Sequence, residues 1–169
     1  AYAIKHLRPQ CKVYGVQAAG APSMKNSLAD GAVESLPGVS TFADGIAVKC
    51  PGDLTFDLCS RYVDGVVTVS EDETAAAVLA LIEQHKLITE GAGAVSAAAV
   101  MAEKFDLKGK KVVCLLSGGN IDVTILSKVI NRGLIKAGRS SELNIRLMDR
   151  PGELKEISAI IADLGGNVV

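Results

Sequence analysis

The segment Ala92 to Phe105 is apolar nearly all round: Ala94, Val95, Ala97, Ala98, Ala99, Val100 and Met101 leave no polar stripe of useful width. A helix of that kind lies against a sheet with neighbours on both flanks. Short β-rich runs elsewhere are candidates for that sheet. Lys12 to Val16 reads as a buried parallel strand, Gly65 to Val69 as a second strand, and Lys111 to Leu116 as the most strand-like run of all. The hydrophobic fraction is 49%, with 4% aromatics and no Trp, so the core has to be built from Ala, Val, Leu and Ile. That mixture suits a helix-covered parallel sheet, and the expected class is α/β, a three-layer sheet with helices on both faces.

Between these runs the punctuation is regular. Ser23 to Asp30 suits a helix that Gly31 would end, and Asp53 to Tyr62 a second. Ser70-x-x-Glu73 is a capping box, and the helix it opens should reach about Gln84. Leu36 to Asp53 has no clean period, and loops of that length in compact domains tend to be functional. Ile121 to Arg132 is expected to be helical. At Lys136 to Ser141 the composition turns small and polar, which places a boundary between a first unit, residues 1–138, and a second, residues 139–169. The second opens with an alternating strand, Leu143 to Leu147, an Asp149-Arg150-Pro151-Gly152 turn and an amphipathic helix from Glu153 to Leu164. Both ends read as cut: Ala1-Tyr2-Ala3-Ile4 enters in mid-helix pattern without a cap, and Gly166 to Val169 stops where a strand would start.

Several classes are disfavoured. A net charge of −1 with interspersed signs gives no broad positive field, which argues against nucleic acid or an anionic membrane as partner. Cys11, Cys50, Cys59 and Cys114 form no C-x-x-C pair, and His6 and His85 stand far from one another and from any cysteine, so neither a disulfide scaffold nor a zinc site is expected. No apolar run approaches the roughly 18 residues of a membrane span, and no signal-peptide pattern opens the chain. The expected location is cytoplasmic.

The sharpest candidate for chemistry is Ser117-Gly118-Gly119-Asn120, where a strand would break into a helix. Two glycines let backbone approach a ligand, a helix start offers free amides, and a hydroxyl stands at the strand's end. An ordinary βα turn would look the same. The string Leu115-Leu116-Ser117-Gly118-Gly119-Asn120 also resembles one near the end of the catalytic domain in fold-type II pyridoxal-phosphate enzymes of the serine/threonine dehydratase group. Further stretches resemble the same family in the same order: Tyr2-Ala3-Ile4 through Val13-Tyr14-Gly15-Val16-Gln17, then Thr41-x-Ala43-Asp44-Gly45-Ile46-Ala47-Val48-x-x-Pro51-Gly52, then Glu90-Gly91-Ala92-Gly93-Ala94. The resemblance covers residues 1–138. The remainder resembles the opening of an ACT domain, a ferredoxin-like fold in which an Asp-x-Pro-Gly turn joins first strand and first helix.

The resemblance implies the cofactor pyridoxal 5'-phosphate. It makes Ser117 the hydroxyl facing the pyridine nitrogen, Gly45 a backbone close to the cofactor, and Glu90 a side chain beside the ring, with Gly118 in the same turn. A hydroxyl leaves the pyridine nitrogen unprotonated where a carboxylate would protonate it, and the weaker electron sink favours elimination over transamination. Read without the family, Glu90 is as well explained as a carboxylate at a helix start, and Asn120 as a helix cap. The implied reaction is β-elimination of water from L-threonine, giving 2-oxobutyrate and ammonia, with serine giving pyruvate. The family's Schiff-base lysine, in a Ser-x-Lys motif, and its glycine-rich phosphate loop would both precede Ala1, so no catalytic residue is assigned and the chain alone is expected to be inactive. Racemase-like members hold a divalent metal by carboxylates at the places of Gln17 and near Ser23; these two are weak ligands for a hard cation, and no metal site is expected. The ACT-like start implies an amino-acid effector, isoleucine or valine, and the family a homo-oligomer, dimer or tetramer; isoleucine biosynthesis and a catabolic role are both open to such an enzyme. Rival readings are another fold-type II activity (serine dehydratase, racemase or β-replacement synthase), an α/β module holding a nucleotide phosphate, and an inert regulatory piece.

Overall fold

A computed structural model describes residues 1–168 of the chain, so Val169, the last residue of the expected terminal strand start, lies outside the described residues. The elements follow in the order α1 (Tyr2–Leu7), β1 (Tyr14–Ala18), α2 (Ser23–Asp30), α3 (Asp53–Tyr62), β2 (Gly65–Val69), α4 (Glu71–Ala80), α5 (Gly91–Met101), α6 (Val123–Lys136) and α7 (Glu153–Asp163). A single 3-10 turn, Asp44–Ile46, interrupts the long loop, and α4 runs on into a π turn, Leu81–His85. The helical path from Glu71 thus passes the expected limit at Gln84 before Lys86 turns left-handed.

The sheet is parallel, with β1 against β2 in a register that sets Tyr14 beside Gly65 and Ala18 beside Val69. Alternation then decides what each face meets. Val16, Val67 and Val69 point to one side and join the core cluster with Val78, Ala94, Ala98 and Val129, where α5 packs on both strands and α4 packs on α5. Val66 points the other way, toward Leu28 of α2 and Cys59 of α3. Helices therefore cover both faces, the α/β arrangement the apolar α5 demands.

Local chemistry sets the ends of these elements. Gly31 closes α2 at φ 74°, a left-handed value that glycine adopts without strain. Ser70 Oγ accepts from Glu73 N at 3.1 Å while Glu73 Oε2 accepts from Ser70 N at 2.7 Å, completing the capping box at the start of α4. Gly133 lets α6 lie close on α4, because a Cβ there would stand 2.9 Å from the Ala75 carbonyl oxygen.

Three expectations are corrected. Lys111 to Leu116 forms no strand: Ser96 Oγ donates to the Leu115 carbonyl at 2.8 Å, but no chain among the described residues pairs with the segment, and Val113 is 94% exposed. Leu143 to Leu147 is likewise irregular and exposed. β-propensity describes a side chain's fit to a pleated surface and does not supply the partner that makes a strand. The start of α6 is capped by Asp122, whose Oδ1 accepts from Thr124 N at 2.7 Å, and not by Asn120, because Ile121 N first closes a turn on the Gly119 carbonyl.

Candidate functional site

Three backbone segments meet where α5 begins: the loop Thr41 to Gly45, the helix start Glu90 to Gly93, and the turn Ser117 to Gly119. Glycine makes the meeting possible. At Gly93 a Cβ would stand 1.7 Å from the Ser117 carbonyl oxygen, and at Gly91 one would stand 2.7 Å from the Phe42 ring and 3.1 Å from Ala43 Cα. Neither position admits a side chain. Glu90 N donates to the Gly118 carbonyl at 3.2 Å, tying helix start to turn.

The Glu90 side chain fills the space left. Its Oε1 would be 2.2 Å from a Cβ on Gly118 and 3.3 Å from one on Gly45, so the carboxylate lies between the two glycine backbones. Gly118 has φ 75°, a conformation glycine supplies freely. The structure therefore brings Gly45, Glu90 and Gly118 together, with Ser117 beside them, its backbone against Gly93 and the residue exposed. Glu90 precedes the first residue of α5 and makes no side-chain cap, which frees its carboxylate for this position.

Beside the junction opens a cleft of about 640 Å³, with Asp44, Glu71, Glu90, Asn120, Asp122 and Lys128 among its lining residues. Of the four site residues expected from sequence, Glu90 is among those that line it. Asn120, displaced as a cap, is part of this wall. The Asp122 carboxyl is held below the usual carboxylate range by hydrogen bonds from the Thr124 hydroxyl and backbone N–H.

Sequence reasoning missed Glu71. From the first turn of α4 its Oε1 accepts from Thr41 Oγ1 at 2.6 Å and its Oε2 from Phe42 N at 2.9 Å. The only local signal was a carboxylate following the Ser70 cap, which the macrodipole alone would justify.

At the places where racemase-like members carry metal-binding carboxylates, this chain has neutral side chains. Gln17 Oε1 accepts from Lys25 N at 2.8 Å, so this neutral oxygen is already engaged by the start of α2. Ser23 is buried with a hydroxyl that finds no hydrogen-bond partner. Among the described residues no three His, Cys, Asp or Glu side chains are grouped as metal ligands, and no helix is long and apolar enough to cross a membrane.

Residues 1–118 match the family described as pyridoxal-phosphate dependent enzyme. An L-threonine ammonia-lyase of Thermotoga maritima is 54% identical over 167 residues, which is 99% of this chain and 41% of that protein. The processed form of threonine deaminase isoform 2 from Solanum lycopersicum superposes with a TM-score of 0.70 at 35% identity, over 81% of this chain and 37% of the other. Maize serine racemase does so with a TM-score of 0.70 at 29% identity, over 76% of this chain and 42% of the other. The chain spans about two fifths of the length of these relatives.

Proposed function

Because the chain belongs to the pyridoxal-phosphate dependent enzymes, we propose that it forms the ring-side wall of the active site of a threonine ammonia-lyase. The observation that carries this reading is the packing of the Glu90 carboxylate between the backbones of Gly45 and Gly118, with Ser117 exposed next to it. Backbone stripped of side chains, one hydroxyl and one carboxylate suit a flat heteroaromatic ring. The phosphate cradle and the Schiff-base lysine belong, on this reading, to residues outside the chain.

When bound, the cofactor supplies an electron sink that lets a proton leave Cα and hydroxide leave Cβ of the amino acid. The chain's own residues set the terms of that chemistry. With the cofactor bound, the Ser117 hydroxyl would keep its proton and serve as a neutral hydrogen-bond donor to the pyridine nitrogen, which would leave the ring uncharged at that atom and favour elimination. Gly45 would offer bare backbone to the ring, and Glu90, which lies against Gly45 and Gly118, would border it. Residues 139–169 would then serve as an amino-acid-sensing unit, taking isoleucine or valine and acting through contacts between subunits of an oligomer.

The full-length protein, incubated with L-threonine and pyridoxal phosphate, is expected to yield 2-oxobutyrate and ammonia in equal amounts, detected by mass spectrometry and ammonium assay. Serine should give pyruvate. No 2-oxobutyrate from threonine, with products instead from O-acetylserine, would assign it to β-replacement.

A further inference from the structure

Glu71 engages the loop that ends at Gly45 more closely than a macrodipole role requires. Its Oε1 accepts from the Thr41 hydroxyl at 2.6 Å and its Oε2 from the Phe42 backbone at 2.9 Å. The Thr41 hydroxyl oxygen in turn accepts from Ala43 N at 3.0 Å. One carboxylate thereby holds three successive residues. The path continues without slack: Ala43 is buried, its carbonyl accepts from Ile46 N at 3.1 Å, and the resulting 3-10 turn contains Gly45. Phe42, fixed by the same carboxylate, lies against Gly91 at the start of α5.

We propose that Glu71 is a positioning residue for the cofactor: it anchors the loop Thr41 to Gly45 to the N-terminus of α4, so that the Gly45 backbone keeps its place opposite Glu90. Glu71 acts through the loop and does not touch the ring. The inference rests on the reading that the junction receives the pyridine ring. Hydrogen bonds to an ionised acceptor are roughly twice as strong as neutral ones, which suits a carboxylate to this task. Its partners also explain why the loop can lack regular structure and still be placed: side-chain bonds replace the missing ladder.

The test uses the full-length protein, stripped of cofactor and titrated with pyridoxal phosphate while the absorbance of the bound form is followed. Glu71→Ala is expected to weaken cofactor binding by about ten- to a hundred-fold and to lower kcat with threonine, as a displacement of order 1 Å in a site does. Glu71→Gln keeps one acceptor and gains a donor that Thr41 Oγ1 can accept, so it should recover most of the affinity. The milder Thr41→Val removes the hydroxyl link alone and should weaken binding less than Glu71→Ala; combined with it, Thr41→Val should add little. Wild-type affinity and spectrum in Glu71→Ala, or full additivity in the double variant, would overturn the assignment. Failure of the wild-type protein itself to bind pyridoxal phosphate would instead overturn the reading of the junction, and the assignment with it.

Discussion

Gly118 combines two demands that only glycine meets: a φ of 75° and a Cβ position 2.2 Å from Glu90 Oε1. Gly118→Ala must either strain the turn or expel the carboxylate, at a cost of about 1–3 kcal/mol. Its thermal midpoint should fall by several degrees and the full-length protein should bind pyridoxal phosphate more weakly. Asp64 shows the opposite situation, a charge wanted by its neighbours. Lys5 foremost, then the Val13 N–H and Lys12, hold its carboxyl well below the ordinary value of 3.8. A carboxylate depressed in the folded state stabilises the fold above its ordinary pKa and loses that contribution as pH falls. Asp64→Asn should therefore be less stable than wild type at pH 7, and urea titrations should show the gap narrowing below about pH 4. At this scale Ser117, Gly118, Gly45 and Glu90 could be proposed as cofactor neighbours because each lies in a short string, and the structure brings Glu90 against Gly45 and Gly118. Glu71 could not, because the donors that explain it lie 30 and 29 residues away.

The elements divide by where their stabilising partners lie. The bounds of α2, α3 and β2 agree residue for residue with the sequence expectation, because their signals are local: Gly31 after α2, Asp53 in the first turn of α3, and the Ser70 cap directly after β2. The box at Ser70 is also supported from afar, since Lys104 Nζ lies 2.7 Å from Glu73 Oε1. Burial works to raise the Glu73 pKa, but the Lys104 ammonium and the Ser70 amide outweigh it and hold the carboxyl below its usual range. Ser70→Ala removes one half of the box and should cost about 1 kcal/mol, measured by urea denaturation. The runs Lys111 to Leu116 and Leu143 to Leu147 failed as strands for the complementary reason. Their alternation and composition were right, but a ladder needs a second chain segment, and that segment is not written in the run itself.

For the molecule as a whole, the α/β architecture followed from one helix that has no polar side, and the candidate site from three glycine-containing strings that fold to a common point. The distance between those strings in sequence, from Gly45 to Gly118, is why their convergence became visible only in the fold. The cleft beside the junction was not legible, since it is shaped by the path of α6 across α4. Val113 and Leu115, 94% and 79% exposed, border the segment that leads into Ser117. The most direct test of the central claim is a crystal structure of the full-length protein with pyridoxal phosphate bound. The expected result is Ser117 Oγ within hydrogen-bond distance of the pyridine nitrogen, with Gly45 and Glu90 against the ring. A ring bound elsewhere, or a pyridine nitrogen paired with a carboxylate, would contradict it.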